Sequence, residues 1–102
     1  MAEWRLVMNA SELEVGHAKA VLLDGQSVAV CRTAEGVFAI EDVCSHDGGA
    51  LDQGTLLGDQ IECPRHGAMF DVRTGKVLSL PAVKNIGSYK TKIENGDIYV
   101  EI

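Results

Sequence analysis

Two short motifs, each with one cysteine and one histidine, constrain the fold of this 102-residue chain more than any other feature. Cys44 and His46 form the first motif, Cys63 and His66 form the second, and sixteen residues separate His46 from Cys63. Two thiolates and two imidazoles make a four-ligand set that suits a zinc ion or an iron-sulfur cluster. The chain is therefore expected to bring two loops together around one metal group.

The distribution of ligand types between the two motifs separates these possibilities. Zinc fingers commonly draw a pair of cysteines from one segment and a pair of histidines from another. Here each segment carries one of each type. A 2Fe-2S centre with two cysteines on one iron and two histidines on the other requires this division. A zinc-stabilised interaction module without a redox role stays open as an alternative, which iron content and brown colour would exclude.

The motif and its flanking residues resemble the Rieske 2Fe-2S family. The pattern is C-x-H, sixteen residues, then C-x-x-H, and the similarity extends through most of the chain. The accompanying residues around and after the second histidine are Pro64, Gly67, Phe70, Asp71, Thr74 and Gly75. The resemblance implies one Rieske-type 2Fe-2S cluster, with Cys44 and Cys63 on one iron and His46 and His66 on the other.

The resemblance also implies a function. The chain is similar to the Rieske ferredoxins of bacterial aromatic-ring dioxygenase systems, which pass single electrons from an NAD(P)H-dependent flavin reductase to a terminal oxygenase through transient contacts. The alternative is the small Rieske-like subunit of an assimilatory nitrite reductase, which often lacks the ligands, so the four ligands here favour the carrier. Oxygenase catalytic subunits add an iron site with two more histidines, and only His17 remains for that purpose. Catalysis by the chain alone is therefore not expected.

Departures from respiratory Rieske proteins predict a low reduction potential. Those proteins carry an extra cysteine in each ligand loop, which form a disulfide, and Ser and Tyr side chains that donate hydrogen bonds to sulfur. At the corresponding places this chain has residues 47–50 without a cysteine, Arg65, Ala68 and Phe70. Hydrogen bonds to sulfur stabilise the reduced cluster, so we expect a potential near the bottom of the range of roughly −150 to +300 mV.

The charge of −6 disfavours nucleic acid and anionic membranes as partners. Residues 1–62 carry eleven acidic and three basic side chains, whereas residues 63–102 carry four and six. Neither a membrane-length apolar run nor the order of a signal peptide is present, so we expect a cytoplasmic protein. Acidic residues near the first motif either steer a basic partner, with Arg65 as an opposing contact, or form a solvated face; they are Glu41, Asp42, Asp47 and Asp52.

Short alternating segments divided by turn residues predict an all-β fold, an antiparallel sandwich or partly open barrel. The predicted strands are 4–7, 18–23, 26–32, 37–42, 55–57, 60–62, 69–72, 76–78, 89–94 and 97–102, with one helical turn at 9–13. Cys31 is expected to be a buried strand residue. The ligands should lie at the tips of two neighbouring hairpins, with residues 81–87 passing close by.

We expect a single domain over residues 1–102, with base sheets from about 1–42 and 79–102 and a cluster-binding subdomain over about 43–78. That subdomain should depend on the cluster for folding, because binding free energy is folding free energy where no independent core exists.

Overall fold

The computed structural model describes residues 3–44, 49–65 and 67–102, in which ten strands form three antiparallel sheets. The first sheet has the order β1 (Trp4–Asn9), β10 (Asp97–Glu101), β9 (Thr91–Glu94). The middle sheet has the order β2 (His17–Leu23), β3 (Gln26–Thr33), β4 (Gly36–Glu41), β8 (Ser88–Tyr89). The third has the order β5 (Thr55–Leu57), β6 (Gln60–Glu62), β7 (Met69–Asp71). The all-β prediction is confirmed, and these strands do not close into a barrel.

The middle sheet is buried on both faces, and its central strand β3 shows this most clearly. Successive side chains of a strand point to opposite faces. Val28 and Val30 therefore pack toward the first sheet, and Ala29 and Cys31 pack toward the third, all four fully buried. This explains the unbroken apolar run, which is typical of a strand covered on both sides. The first core, between the first and middle sheets, also contains Met8, Val37, Ala39, Ile98 and Val100.

The second core lies between the middle and third sheets. Ile40 enters it from β4, Ile61 from β6 and Phe70 from β7, and all three are completely buried. Burial of such a side chain contributes about 1.5–3 kcal/mol, so these contacts attach the small third sheet to the rest of the chain. Cys44 and Cys63 belong to this same core.

Three details differ from the sequence-based prediction. The strand predicted at 76–78 is only an isolated bridge between Phe70 and Val77. The strand predicted at 89–94 is divided, because β8 pairs with the middle sheet and β9 pairs with the first, with Lys90 between them. The first motif does not lie at a hairpin tip, because it follows β4 of the middle sheet and precedes β5 of the third.

The predicted helical turn is confirmed as a 3-10 turn at Ala10–Glu12. The side chain of Asn9 accepts a hydrogen bond from the Ser11 amide at 2.9 Å, and the Glu12 carboxylate accepts one from the Asn9 amide at 2.8 Å. These reciprocal bonds satisfy amides that would otherwise lack a partner at the start of the turn.

In the described part of the chain, no helix is long and apolar enough to cross a membrane.

Gly75 occupies a position where the main chain of two segments meets closely. Its φ is +79°, and a Cβ placed on it would lie 2.1 Å from the carbonyl oxygen of Ile86. The Gly75 carbonyl also accepts a hydrogen bond from the Ile86 amide at 2.8 Å. The absence of a side chain thus lets residues 79–87 pack against the turn that follows β7.

We predict that Gly75→Ala destabilises the protein more than Gly25→Ala. Gly25 has nearly the same φ, +80°, but an added Cβ there meets nothing within 4 Å. The control therefore measures the left-handed backbone cost alone, about 1–2 kcal/mol, while Gly75→Ala should add about 1–3 kcal/mol of steric conflict. Urea unfolding of both cluster-loaded variants measures the difference, and equal losses would refute the close approach.

Candidate iron-sulfur site

The two motif loops are closed by the same local hydrogen bond. The amide of Cys44 donates to the carbonyl of Gly49 at 2.7 Å, and the amide of Cys63 donates to the carbonyl of Ala68 at 2.7 Å. In each case the acceptor lies five residues after the cysteine. The second loop has a further bond of 3.1 Å from the Gly67 amide to the Cys63 carbonyl, with Gly67 at a φ of +78°. We call residues 44–49 and 63–68 the ligand loops.

The structure brings the two motif cysteines into one buried region. Cys44 follows β4, Cys63 follows β6, and each is only 1% exposed within the second core. None of the three cysteines forms a disulfide. The two motif histidines, His46 and His66, lie outside the described residues. The structure therefore describes the two cysteines of the predicted ligand set.

The surroundings of these two cysteines fit a metal group held by thiolates. A buried thiolate in an apolar environment carries a large desolvation cost unless a cation compensates its charge. Cys44 and Cys63 begin two loops of matching closure, and both side chains belong to the same core.

Cys31 contrasts with the motif cysteines, although it is buried in the same core. It lies within β3 and is completely inaccessible. Burial, followed by the nearby charges of Asp42 and Asp52, raises the pKa of its thiol to about 12. The thiol is therefore protonated at neutral pH and acts as a small apolar residue. The expectation of a buried strand residue is confirmed.

Residues 79–87, which we call the third loop, pack beside the cysteines. Ala82 and Ile86 enter the second core, as the prediction for this segment required. Two polar side chains fix the path of the loop: the Ser79 hydroxyl accepts a hydrogen bond from the Met69 amide at 3.0 Å, and the Asn85 side chain accepts one from the Val77 amide at 3.0 Å. The sequence analysis missed both residues, because an isolated polar residue in a loop does not indicate which backbone amide its side chain will bind.

The third loop is also attached to the end of β4. The amide of Glu41 donates to the carbonyl of Gly87 at 2.9 Å, and the Glu41 carboxylate accepts a hydrogen bond from the Gly87 amide. Glu41 therefore holds the third loop beside the strand that leads into the first ligand loop.

Asp42 has a structural position that the sequence analysis did not anticipate. It is only 9% exposed, and its carboxylate accepts hydrogen bonds from the Asp52 amide at 2.7 Å and the Ser27 hydroxyl at 3.3 Å. Burial, with a smaller contribution from the side chain of Asp52, raises the pKa of this carboxyl. Neither alternative expected for this acidic group, a steering charge or a solvated face, fits the buried Asp42, which instead ties the start of the first ligand loop to the turn that follows it. Asp47, of the same predicted group, lies outside the described residues.

The Rieske 2Fe-2S domain family matches residues 3–90. The chain belongs to the Rieske family. A ferredoxin of Metapseudomonas resinovorans, CarAc, is 38% identical over 98 residues, which cover 95% of this chain and 92% of that protein. The ferredoxin component of the naphthalene 1,2-dioxygenase system of Pseudomonas putida is 32% identical over 100 residues, covering 98% and 96%. Membership of the family confirms the predicted cofactor, one Rieske-type 2Fe-2S cluster.

Solved structures are similar to the whole chain. The ferredoxin in a complex of reduced oxygenase and oxidized ferredoxin of carbazole 1,9a-dioxygenase has a TM-score of 0.90 and 38% identity, covering 95% of this chain and 91% of that one. A putative NADH-dependent nitrite reductase small subunit from Mycobacterium tuberculosis has a TM-score of 0.89 and 26% identity, covering 100% and 96%. The expectation of a Rieske ferredoxin that carries electrons is confirmed, and the nitrite reductase subunit is the weaker alternative.

Proposed function

We propose that Cys44, His46, Cys63 and His66 bind the cluster, with the two thiolates on one iron and the two imidazoles on the other. The observation that carries this proposal is the matched closure of the two ligand loops, each by a bond from its cysteine amide to a carbonyl five residues later. Such closure holds both cysteine backbones in one geometry, and the second core buries both side chains. When bound, the cluster accepts and donates one electron at a time.

We further propose that the chain receives electrons from an NAD(P)H-dependent flavin reductase and delivers them to a terminal oxygenase in the cytoplasm. Relatives that cover nearly the whole chain are ferredoxin components of dioxygenase systems, and the similar ferredoxin of carbazole 1,9a-dioxygenase forms a complex with its oxygenase. These similarities support the oxygenase as a partner class. We include the reductase because an electron carrier must itself be reduced by a partner.

The ligand assignment is tested by electron paramagnetic resonance of the dithionite-reduced protein, with iron and acid-labile sulfide measured on the same sample. We expect an average g value below that of clusters with four cysteines, because histidines replace two thiolates. Cys63→Ala should abolish the signal. The matched control Cys31→Ala should retain it, because that buried thiol lies on β3 rather than on a ligand loop. A colourless, zinc-loaded sample would refute the electron-carrier function.

The described surroundings of the cysteines support a low reduction potential. Ala68 and Phe70, which stand where respiratory Rieske proteins place hydroxyl donors, are completely buried and carry no hydroxyl. The Ala68 carbonyl accepts the Cys63 amide, and Phe70 packs in the same core as both motif cysteines. A side chain without a donor cannot stabilise the added negative charge on sulfur when the cluster is reduced.

We predict a midpoint potential near the lower end of the Rieske range, below about 0 mV, and an upward shift in Phe70→Tyr. The new hydroxyl would supply a donor close to the cysteines. Phe38→Tyr is the matched control, because Phe38 is a partly buried β4 residue that packs against the same core. Potentiometric titration of the three proteins checks this prediction. A wild-type potential well above zero, or equal shifts in both variants, would contradict it.

Exposed apolar side chains on the third loop support partner docking beside the ligand loops. Leu80 is 76% exposed and Val83 is 73% exposed, while Ala82 between them is packed in the second core with the cysteines. Exposed apolar side chains that are grouped together are common at protein contact sites. We propose that these two residues contact both electron-transfer partners.

We expect Leu80→Glu to slow electron transfer to an oxygenase without changing the paramagnetic resonance spectrum, because a charge there would be desolvated on docking. The oxygenase of the carbazole 1,9a-dioxygenase system is a suitable acceptor, since its ferredoxin is 38% identical to this chain. Leu22→Glu is the matched control, because Leu22 is 73% exposed on the edge strand β2. Stopped-flow measurement would count against the docking site if both variants transferred electrons at the wild-type rate.

A further inference from the structure

A groove of about 670 Å³ lies where residues from all three sheet regions meet. Its aromatic and cationic lining residues are Trp4, Phe38, Arg73, Tyr89, Lys90 and Lys92. They come from β1, β4, the turn after β7, and the segment in which the chain passes from the middle sheet to the first. Among the described residues of the two ligand loops, none lines the groove. It is therefore a surface separate from the proposed electron-transfer site.

The groove is lined by cationic side chains, although the protein as a whole is acidic. Its lining includes three of the nine Lys and Arg side chains of a chain whose net charge is −6, and the described lining residues include no carboxylate. Two of these cations are paired with acids: Arg73 lies 3.0 Å from the Asp71 carboxylate and 3.9 Å from that of Asp59, and Lys92 lies 3.2 Å from that of Glu94. Lys90 is exposed at the point where the chain changes sheets.

Aromatic rings give the groove an apolar component beside these charges. Trp4 is 39% exposed, and the Lys92 ammonium lies 4.7 Å from the centroid of its ring. The Tyr89 side chain is held in place because its hydroxyl donates to Gln26 at 2.9 Å. Rigid, half-exposed Trp and Tyr rings next to Arg are enriched in protein interfaces, where they supply contact area at a low entropic cost.

We propose that this groove docks an acidic segment of a partner protein, with an apolar side chain of that segment against the Trp4 and Tyr89 rings. Charge complementarity at Lys90 selects the acidic character of the segment, because it is the one lining cation for which the described residues form no ion pair, and a local positive charge attracts an acidic segment. Docking at the groove leaves the ligand loops and the third loop accessible. The partner can therefore remain attached while the cluster exchanges electrons elsewhere, which goes beyond the proposed function.

The experiment uses the cluster-loaded full chain, isotope-labelled for nuclear magnetic resonance, and a five-residue peptide with four aspartates around a central leucine. We expect amide shifts at residues 88–92 and a shift of the indole of Trp4, the only tryptophan in the chain. Lys90→Glu should weaken binding about tenfold, since it reverses a contacting charge. Lys19→Glu is the matched control, because Lys19 is an exposed β2 residue outside the groove and the variant has the same net charge.

Several outcomes would overturn the proposal. Equal loss of peptide affinity in Lys90→Glu and Lys19→Glu would show that the peptide responds only to the net charge of the protein. Chemical shift changes confined to residues outside the groove would place the contact elsewhere. Binding of 2-naphthoate at the groove without binding of the peptide would make it a small-molecule pocket instead. Each sample is first checked by electron paramagnetic resonance. A missing cluster signal would refute the proposed function, whereas loss of peptide binding with an intact signal would refute only the docking groove.

Discussion

The burial of the middle sheet on both faces is the constraint on which the rest of the structure depends. One strand, β3, supplies Val28 and Val30 to one core and Ala29 and Cys31 to the other, so a chain of 102 residues maintains two cores with a single shared layer. A small chain gains stability with difficulty because its surface is large relative to its volume. The shared layer reduces that difficulty, and it gives the ligand loops a rigid base. The first ligand loop starts three residues after β4, at the point where this layer ends.

Hydrogen bonds from backbone amides then set the geometry above that base. Each ligand loop is closed by a cysteine amide, and the amides of Asp52, Met69 and Val77 are accepted by the side chains of Asp42, Ser79 and Asn85. A hydrogen bond of this kind contributes about 0.5–1.5 kcal/mol, so each polar side chain stabilises one specific loop path over its alternatives. Order in this region therefore comes from many local bonds, each dependent on the position of the sheets.

Strand positions that follow from local residue patterns could be predicted from the sequence. Features that depend on how the sheets pair and pack could not. Alternation and turn residues located β2, β3, β5 and β6 closely, and the apolar run around Cys31 indicated burial. The division at Lys90 was missed because strand-forming residues continue on both sides of it, while the pairing partner changes from Ala39 to Val100. Asp42 was assigned to the surface because a carboxylate next to other acids usually lies there. Its burial depends on Ser27 and Asp52, which meet it only in the folded chain.

The docking proposed at the third loop is expected to be weak because of the magnitudes involved. Complete burial of Leu80 and Val83 would contribute about 1.5–3 kcal/mol each. Association costs an estimated 4–15 kcal/mol in translational and rotational freedom, so two such side chains cannot hold a partner alone. A carrier that must release one partner before meeting the next benefits from this balance, because dissociation then stays fast. Any additional affinity has to come from surfaces outside the ligand loops, such as the groove around Lys90, where the proposed contact would strengthen attachment without covering the site of electron exchange.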